Sequence, residues 1–253
     1  MIKGIDISEY QGRVDFRKVK ADGIDFVIIR YADGSYIDKY FSENMIQAQA
    51  NKLHFGAYLY SRAVNEAQAR EEAQRLIRAC EPYKYDMPLY IDIEADNIAR
   101  YADMISRVFL EECDKQGVKG GIYANTNYFK NYIKTSLYKD YPLWIADIDG
   151  RATPAYHPEW FGLWQYSWEG KVEGINGHVD LDRCYVEYWK EQKDETSNVE
   201  KIQKVCDELN VKAQRVLAGD YGTGADREKA LGSYYPPVQW IINRILEGEK
   251  DDG

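Results

Sequence analysis

The chain has no run of Lys and Arg that could grip a polyanion: 33 basic residues face 42 acidic ones, for a formal charge of −9. A nucleic-acid binder normally presents a basic patch, so nucleic acid is excluded as the main partner, and an anionic membrane surface with it. Cysteine is sparse: Cys80, Cys113, Cys184 and Cys206 stand far apart, with no C-x-x-C pair. That spacing excludes a dense disulfide framework and the usual zinc motifs, and leaves reduced, partly buried thiols as the expectation. The three histidines, His54, His157 and His178, are equally scattered, so neither a metal site nor a cofactor is expected. No apolar run approaches the ~20 residues of a membrane span, and no membrane insertion is expected. Met1-Ile-Lys-Gly-Ile-Asp6 enters a strand-like pattern at once, without a basic and then apolar leader. It predicts a product made in the cytoplasm without a signal peptide.

Aromatic residues are abundant instead, with 22 tyrosines and six tryptophans. Each joins a flat apolar body to a polar tip, which suits core packing and stacking on sugar faces alike. Up to about residue 146, short apolar runs alternate with helical patterns. Strands are predicted at Lys3–Ile7, Asp25–Arg30, Phe55–Tyr60, Pro88–Glu94, Gly121–Ala124 and Pro142–Ala146, with helices near 15–22, 39–52, 65–80, 97–116 and 126–134. This rhythm predicts an α/β fold with a parallel sheet, and about five β/α units favour an irregular, TIM-like β/α barrel. Late strands at Phe161–Tyr166 and His178–Asp182 would complete it.

The domain reading follows from composition. Residues 1–190 form the barrel, and the polar stretch 191–198 is a linker. Residues 199–247 form a small three-helix bundle, and 248–253 are a disordered tail. In the bundle Val199, Ile202, Val205, Cys206 and Leu209 recur at helical spacing. A second helix follows Gly224, and a third follows Pro236-Pro237.

The strongest chemical signal is Pro88-Leu-Tyr-Ile-Asp-Ile-Glu94. Alternation puts Tyr90, Asp92 and Glu94 on one face of the strand and Leu89, Ile91 and Ile93 on the other. Asp6 lies between Ile5 and Ile7 on the first strand, and Asp180 between Val179 and Leu181 on a late one. Inward acids are costly to desolvate, and at the C-terminal ends of barrel strands they stand where such folds carry their active sites. Neighbouring acids raise one another's proton affinity, as a glycoside-cleaving general acid requires. The same spacing also fits salt bridges to Arg30, or a hard divalent cation held by oxygen ligands.

These residues resemble the glycoside hydrolase family 25 lysozymes. The likeness rests on Gly4-Ile-Asp-Ile-Ser8 with Gln11-Gly12, Phe26–Arg30, Gly56-Ala-Tyr58, Tyr90–Glu94, Leu143-Trp-Ile-Ala146, Trp164-Gln-Tyr166 and Val179-Asp-Leu181, in that order over about residues 1–190. The resemblance implies hydrolysis of the β-1,4 bond between N-acetylmuramic acid and N-acetylglucosamine in peptidoglycan. It implies Glu94 as general acid and then base, with Asp92 orienting the substrate acetamido group or attacking directly. Asp6 and Asp180 would shape the field, and Tyr58, Tyr60, Tyr123, Trp164 and Arg30 would bind sugar.

Beyond residue 198, Val216–Gly224 with Arg227, Ala230-Leu-Gly232, Val238-Gln239 and Asn243 resembles a cell-wall-binding repeat. Tyr221 and Arg227 would face a muropeptide, and the module leaves an oligomer possible. The combination implies a phage endolysin set free by a holin, with a bacterial autolysin released by lysis as the alternative. A chitinase-like glycosidase and a non-catalytic glycan binder are the competing readings; the wall-type repeat speaks against the first, and intact Asp92 and Glu94 against the second.

Overall fold

The computed structural model describes residues 2–191 and 209–248. The chain divides into two compact units, 1–189 and 190–253. Residues 192–198 of the stretch 191–198 read as a linker, the first part of the 199–209 helical pattern, Cys206 and the residues beyond 248 lie outside the described residues.

In the first unit, β1 (Ile2–Ile7), β2 (Phe26–Asp33), β4 (His54–Tyr60), β5 (Leu89–Asp92), β6 (Gly120–Asn125), β7 (Leu143–Ala146) and β8 (Leu163–Gly170) run parallel in neighbouring pairs around a barrel. The ring is closed by β9 (Val179–Cys184), which is antiparallel to both β8 and β1. Helices α1 (Phe16–Ala21), α2 (Phe41–Ala50), α3 (Glu66–Cys80), α4 (Ala102–Lys115) and α5 (Thr126–Asn131) follow the early strands. The chain is thus an eight-stranded closed barrel with about five β/α units and late strands, as the alternating pattern predicts.

Helix starts follow from local chemistry. Asp15, Asn65 and Asn125 each accept a backbone N–H of the first turn of α1, α3 and α5. In α3, Ala69, Ala73, Leu76, Ile77 and Cys80 make the stripe that meets the barrel wall.

Strand alternation separates two apolar clusters. Ile5, Ile7, Val27, Ile29, Leu89, Ile91, Leu143 and Ile145 point outward and pack under the helices. Phe26, Ile28, Tyr58, Tyr90, Tyr123 and Trp144 point inward and fill the barrel. Trp144 is the hub, with the rings of Tyr58, Tyr90 and Tyr123 edge-on at centroid distances of 5.8, 5.3 and 4.5 Å. Gly4 gives this interior its room, since a Cβ there would lie 2.1 Å from the Phe26 ring.

Three details differ from the sequence reading. A two-residue strand, β3 (Tyr36–Ile37), forms a hairpin with β2; it is too short and exposed to carry a periodic signal. β5 ends at Asp92, so Glu94 stands just beyond the strand. The 97–116 helix begins as a 3-10 segment, Asp96–Tyr101, before α4 proper. Cys80, Cys113 and Cys184 are free and buried.

A short helix, α6 (Tyr188–Glu191), follows β9. In the second unit a helical stretch covers 209–217, followed by α7 (Gly224–Leu231) and α8 (Tyr235–Gly248). Helix α8 starts one residue ahead of the Pro236-Pro237 pair, so both prolines occupy its first turn. Ala213, Val216, Leu231, Val238 and Ile242 form a small apolar cluster.

Candidate active site

At the C-terminal ends of the parallel strands a cleft of about 210 Å³ opens into the barrel. Strand register brings its acids together from distant parts of the chain. Asp6 on β1 stands opposite Asp180 on β9, which enters the barrel at this end because it runs the other way. Asp92 on β5 is flanked in register by Tyr60 on β4 and Tyr123 on β6. Glu94 follows on the same side. The cleft is lined by Asp6, Arg30, Tyr58, Tyr60, Asp92, Glu94, Tyr123 and Asp180, all anticipated from sequence.

Trp164 is a correction. It does not line the cleft; it is 2 % exposed, and its indole N–H donates to the Asp147 carbonyl at 2.8 Å. The reason is alternation: Leu163 and Gln165 face inward, so Trp164 between them faces away. The same rule finds residues that sequence reading missed. Trp144, between outward Leu143 and Ile145, lines the cleft, and so does Gln165. Asp182, two residues after Asp180 on the same face, is buried beneath the cleft and accepts the Trp144 indole N–H at 2.8 Å. Ser8, Tyr10 and Gln11 also line the cleft, from a turn where no periodicity marks them. Ser8 and Gln11 form a reciprocal capping box around that turn. Tyr10 is 81 % exposed at the rim, its ring centroid 5.0 Å from the Arg30 guanidinium.

Among the described residues Arg30 makes no ion pair with the cleft acids. Its Nε approaches Asp38 at 3.3 Å and its outer nitrogen approaches Glu9 at 3.7 Å. Gln165 instead links two of the cleft residues, donating to Asp6 at 2.8 Å and accepting the Tyr123 hydroxyl at 2.9 Å. One oxygen of Asp92 is buried with no partner in hydrogen-bond geometry.

The carboxyl groups respond to this enclosure. Burial, with a smaller contribution from the Asp180 charge, raises Glu94 to about 6. Burial raises Asp180 to about 6 and Asp182 to about 8. Asp6 is pushed well above the ordinary range by burial and by the charges of Asp180 and Asp182. Asp92 is raised by burial and by Glu94, against the opposing pull of Arg30 and Arg62. The cleft therefore holds a carboxylic acid able to remain protonated near pH 6 beside further carboxyl groups, the arrangement that general-acid chemistry needs. Among the described residues no group of three or more His, Cys, Asp or Glu is placed to hold a metal ion.

Comparison with known proteins fits this geometry. Residues 5–175 match the family model of the glycosyl hydrolases family 25. The chain belongs to glycosyl hydrolase family 25. Among its relatives is the autolytic lysozyme of Clostridium acetobutylicum, 34 % identical over 185 residues, covering 72 % of this chain and 55 % of that protein. The chain thus spans little more than half the length of that relative. Lysozyme M1 of Streptomyces globisporus is 25 % identical over 199 residues, covering 72 % of this chain and 67 % of that one. The solved CTP1L endolysin superposes with a TM-score of 0.66 at 27 % identity, over 77 % of this chain and 70 % of that chain. The family 25 hydrolase of Bacillus anthracis shares the fold, with a TM-score of 0.62 at 23 % identity over 77 % of this chain and 93 % of that one.

In the second unit, residues 210–246 match the CW_7 repeat. Tyr221 is half-buried against its apolar cluster, with the Arg215 guanidinium 5.2 Å from its ring. Arg227 donates through two nitrogens to the Gly222 carbonyl, at 3.2 Å each, and so ties the turn ahead of α7. No described helix in either unit is long and apolar enough to cross a membrane.

Proposed function

We propose that the protein is an N-acetylmuramidase that cleaves the β-1,4 bond between N-acetylmuramic acid and N-acetylglucosamine in peptidoglycan. The observation that carries the reading is Glu94, a carboxyl group raised to about 6 in the cleft at the end of β5, next to Asp92. Glu94 gives its proton to the glycosidic oxygen as the C1–O bond breaks. Positive charge develops at C1, and it is answered by the substrate's own acetamido oxygen or by a carboxylate. The unpartnered oxygen of Asp92 is an acceptor suited to the acetamido N–H, and that contact would orient the group for attack. Water then adds at C1, its proton returning to Glu94. Tyr10, Tyr58, Tyr60 and Tyr123 supply ring faces and hydroxyls to the sugars.

The CW_7 repeat supports wall attachment by the second unit, and the likeness to an endolysin supports a phage lysis enzyme released from the host cytoplasm. Purified peptidoglycan should be digested, reduced with borohydride and its new sugar alcohols identified. Muramitol at the new ends is expected; glucosaminitol would mean that the opposite bond is cut. Glu94→Gln should keep the fold and lose at least about 10²-fold in turnover, and a variant of wild-type activity would remove Glu94 from the mechanism.

A further inference from the structure

A second groove, of about 860 Å³, runs beside the cleft, where the loop joining β8 to β9 packs on α1. The loop is built into place. The Asp15 N–H donates to the Gly174 carbonyl at 2.9 Å, and the Glu173 N–H donates to the Asp22 carboxylate at 3.1 Å. At Gly174, φ is +98°, and a Cβ would lie 2.4 Å from the Asp15 carbonyl oxygen, so glycine is what permits this approach. One end of the groove reaches the cleft. Gln11, a cleft residue, donates to the His178 carbonyl at 3.3 Å, and His178 lines the groove two residues before Asp180.

The groove is polar and of mixed charge. Asp15 and Asp22 are engaged by backbone N–H groups, the first by Lys18 N at 3.2 Å. Lys18 and Lys171 make no ion pair among the described residues, and Arg13 reaches Glu43 only at 3.9 Å. Lys18 and Lys171 are thus uncommitted cations on an acidic protein, gathered beside the substrate cleft together with the Glu173 carboxylate.

We propose that this groove receives the peptide stem of the muramyl residue seated in the cleft, with Lys18 and Lys171 meeting its carboxylates and Glu173 its free amine. The proposal rests on the muramidase reading. A muramyl residue carries, on its lactyl ether, a short peptide with free carboxylates and, at its diamino acid, an amine. A groove offering both signs fits that ligand better than it fits a polyanion. Single exposed ion pairs are weak, but a stem tethered to a bound sugar meets them at high effective concentration.

The test compares glycan strands bearing uncrosslinked stems with the same strands stripped by an amidase, using initial rates of new reducing ends. Wild type should show kcat/KM about fivefold higher on the peptide-bearing strands. In the Lys18→Glu/Lys171→Glu variant the ratio should fall to about one, while the rate on stripped strands reports that the barrel is folded. Equal kcat/KM of wild type on both substrates, or a variant that keeps the preference, would overturn the proposal. Wild type that releases no reducing ends from either strand would instead overturn the hydrolase reading, and this proposal with it.

Discussion

Asp6, Asp180 and Asp182 bring three carboxyl groups from two adjacent strands into one end of the barrel, and they cannot all be charged there. Asp182 lies deepest, 1 % exposed, with Trp144 donating to one oxygen at 2.8 Å and a hydrogen bond shared with the Asp6 carboxyl group. Burial raises it from an ordinary 3.8 to about 8. A carboxyl group raised by folding opposes the folded state progressively as pH climbs from its unfolded value to its folded one. Asp182→Asn keeps an acceptor for Trp144 and removes that ionisation. Its melting temperature should therefore exceed wild type by a margin that widens between pH 4 and 8, each kcal/mol appearing as about 2–4 °C at this chain length. A margin constant over that range would mean that Asp182 is not held neutral. The residue was within reach of sequence reasoning, because Val179-Asp-Leu-Asp182 alternates throughout. Its burial was not, since depth depends on β9 entering the barrel against the direction of its neighbours.

Elements were legible where one face is apolar and the other is not. The outward residues of β1, β2, β5 and β7 meet helices, and the inward ones meet aromatic rings or water in the cleft. The rule failed for β3, where two exposed residues have no periodicity, and for Tyr10, placed by a capped turn instead of a strand. At Trp164 the rule holds against the ring's aromatic character, because a residue between inward Leu163 and Gln165 faces away from the cleft. A further consequence of inward packing concerns β1 and β2. Phe26 is fully buried and fills the space that Gly4 leaves open, and a methyl group at 2.1 Å from the ring cannot be absorbed without displacing it. Gly4→Ala should lower the urea midpoint by an amount equivalent to about 1–3 kcal/mol. Gly4→Ala/Phe26→Leu should recover part of that loss, since residues in contact do not act additively. Equal destabilisation by Gly4→Ala with and without Phe26→Leu would place the cost elsewhere.

At the scale of the whole molecule, the first unit contains both apolar clusters of the barrel and the complete cleft, while the second holds a separate small cluster of its own. The polar run 191–198 and the change from alternating to helical spacing are what the sequence offers for a boundary here, and residues 192–198 lie outside the described residues. A barrel with its own core should fold without the repeat, and a module whose role is attachment should change where the enzyme acts, not what it does to a bond. A chain of residues 1–189 is therefore expected to cut short soluble glycan fragments with the kcat/KM of the full protein. On intact cell walls it should sediment with the wall fraction to a smaller extent. The deficit should be modest, because one copy of a binding repeat lacks the gain that linked copies provide. Equal sedimentation of the two proteins would leave the repeat without a wall-binding role. A fall in kcat/KM on the soluble fragments would instead show that the second unit takes part in the chemistry of the cleft.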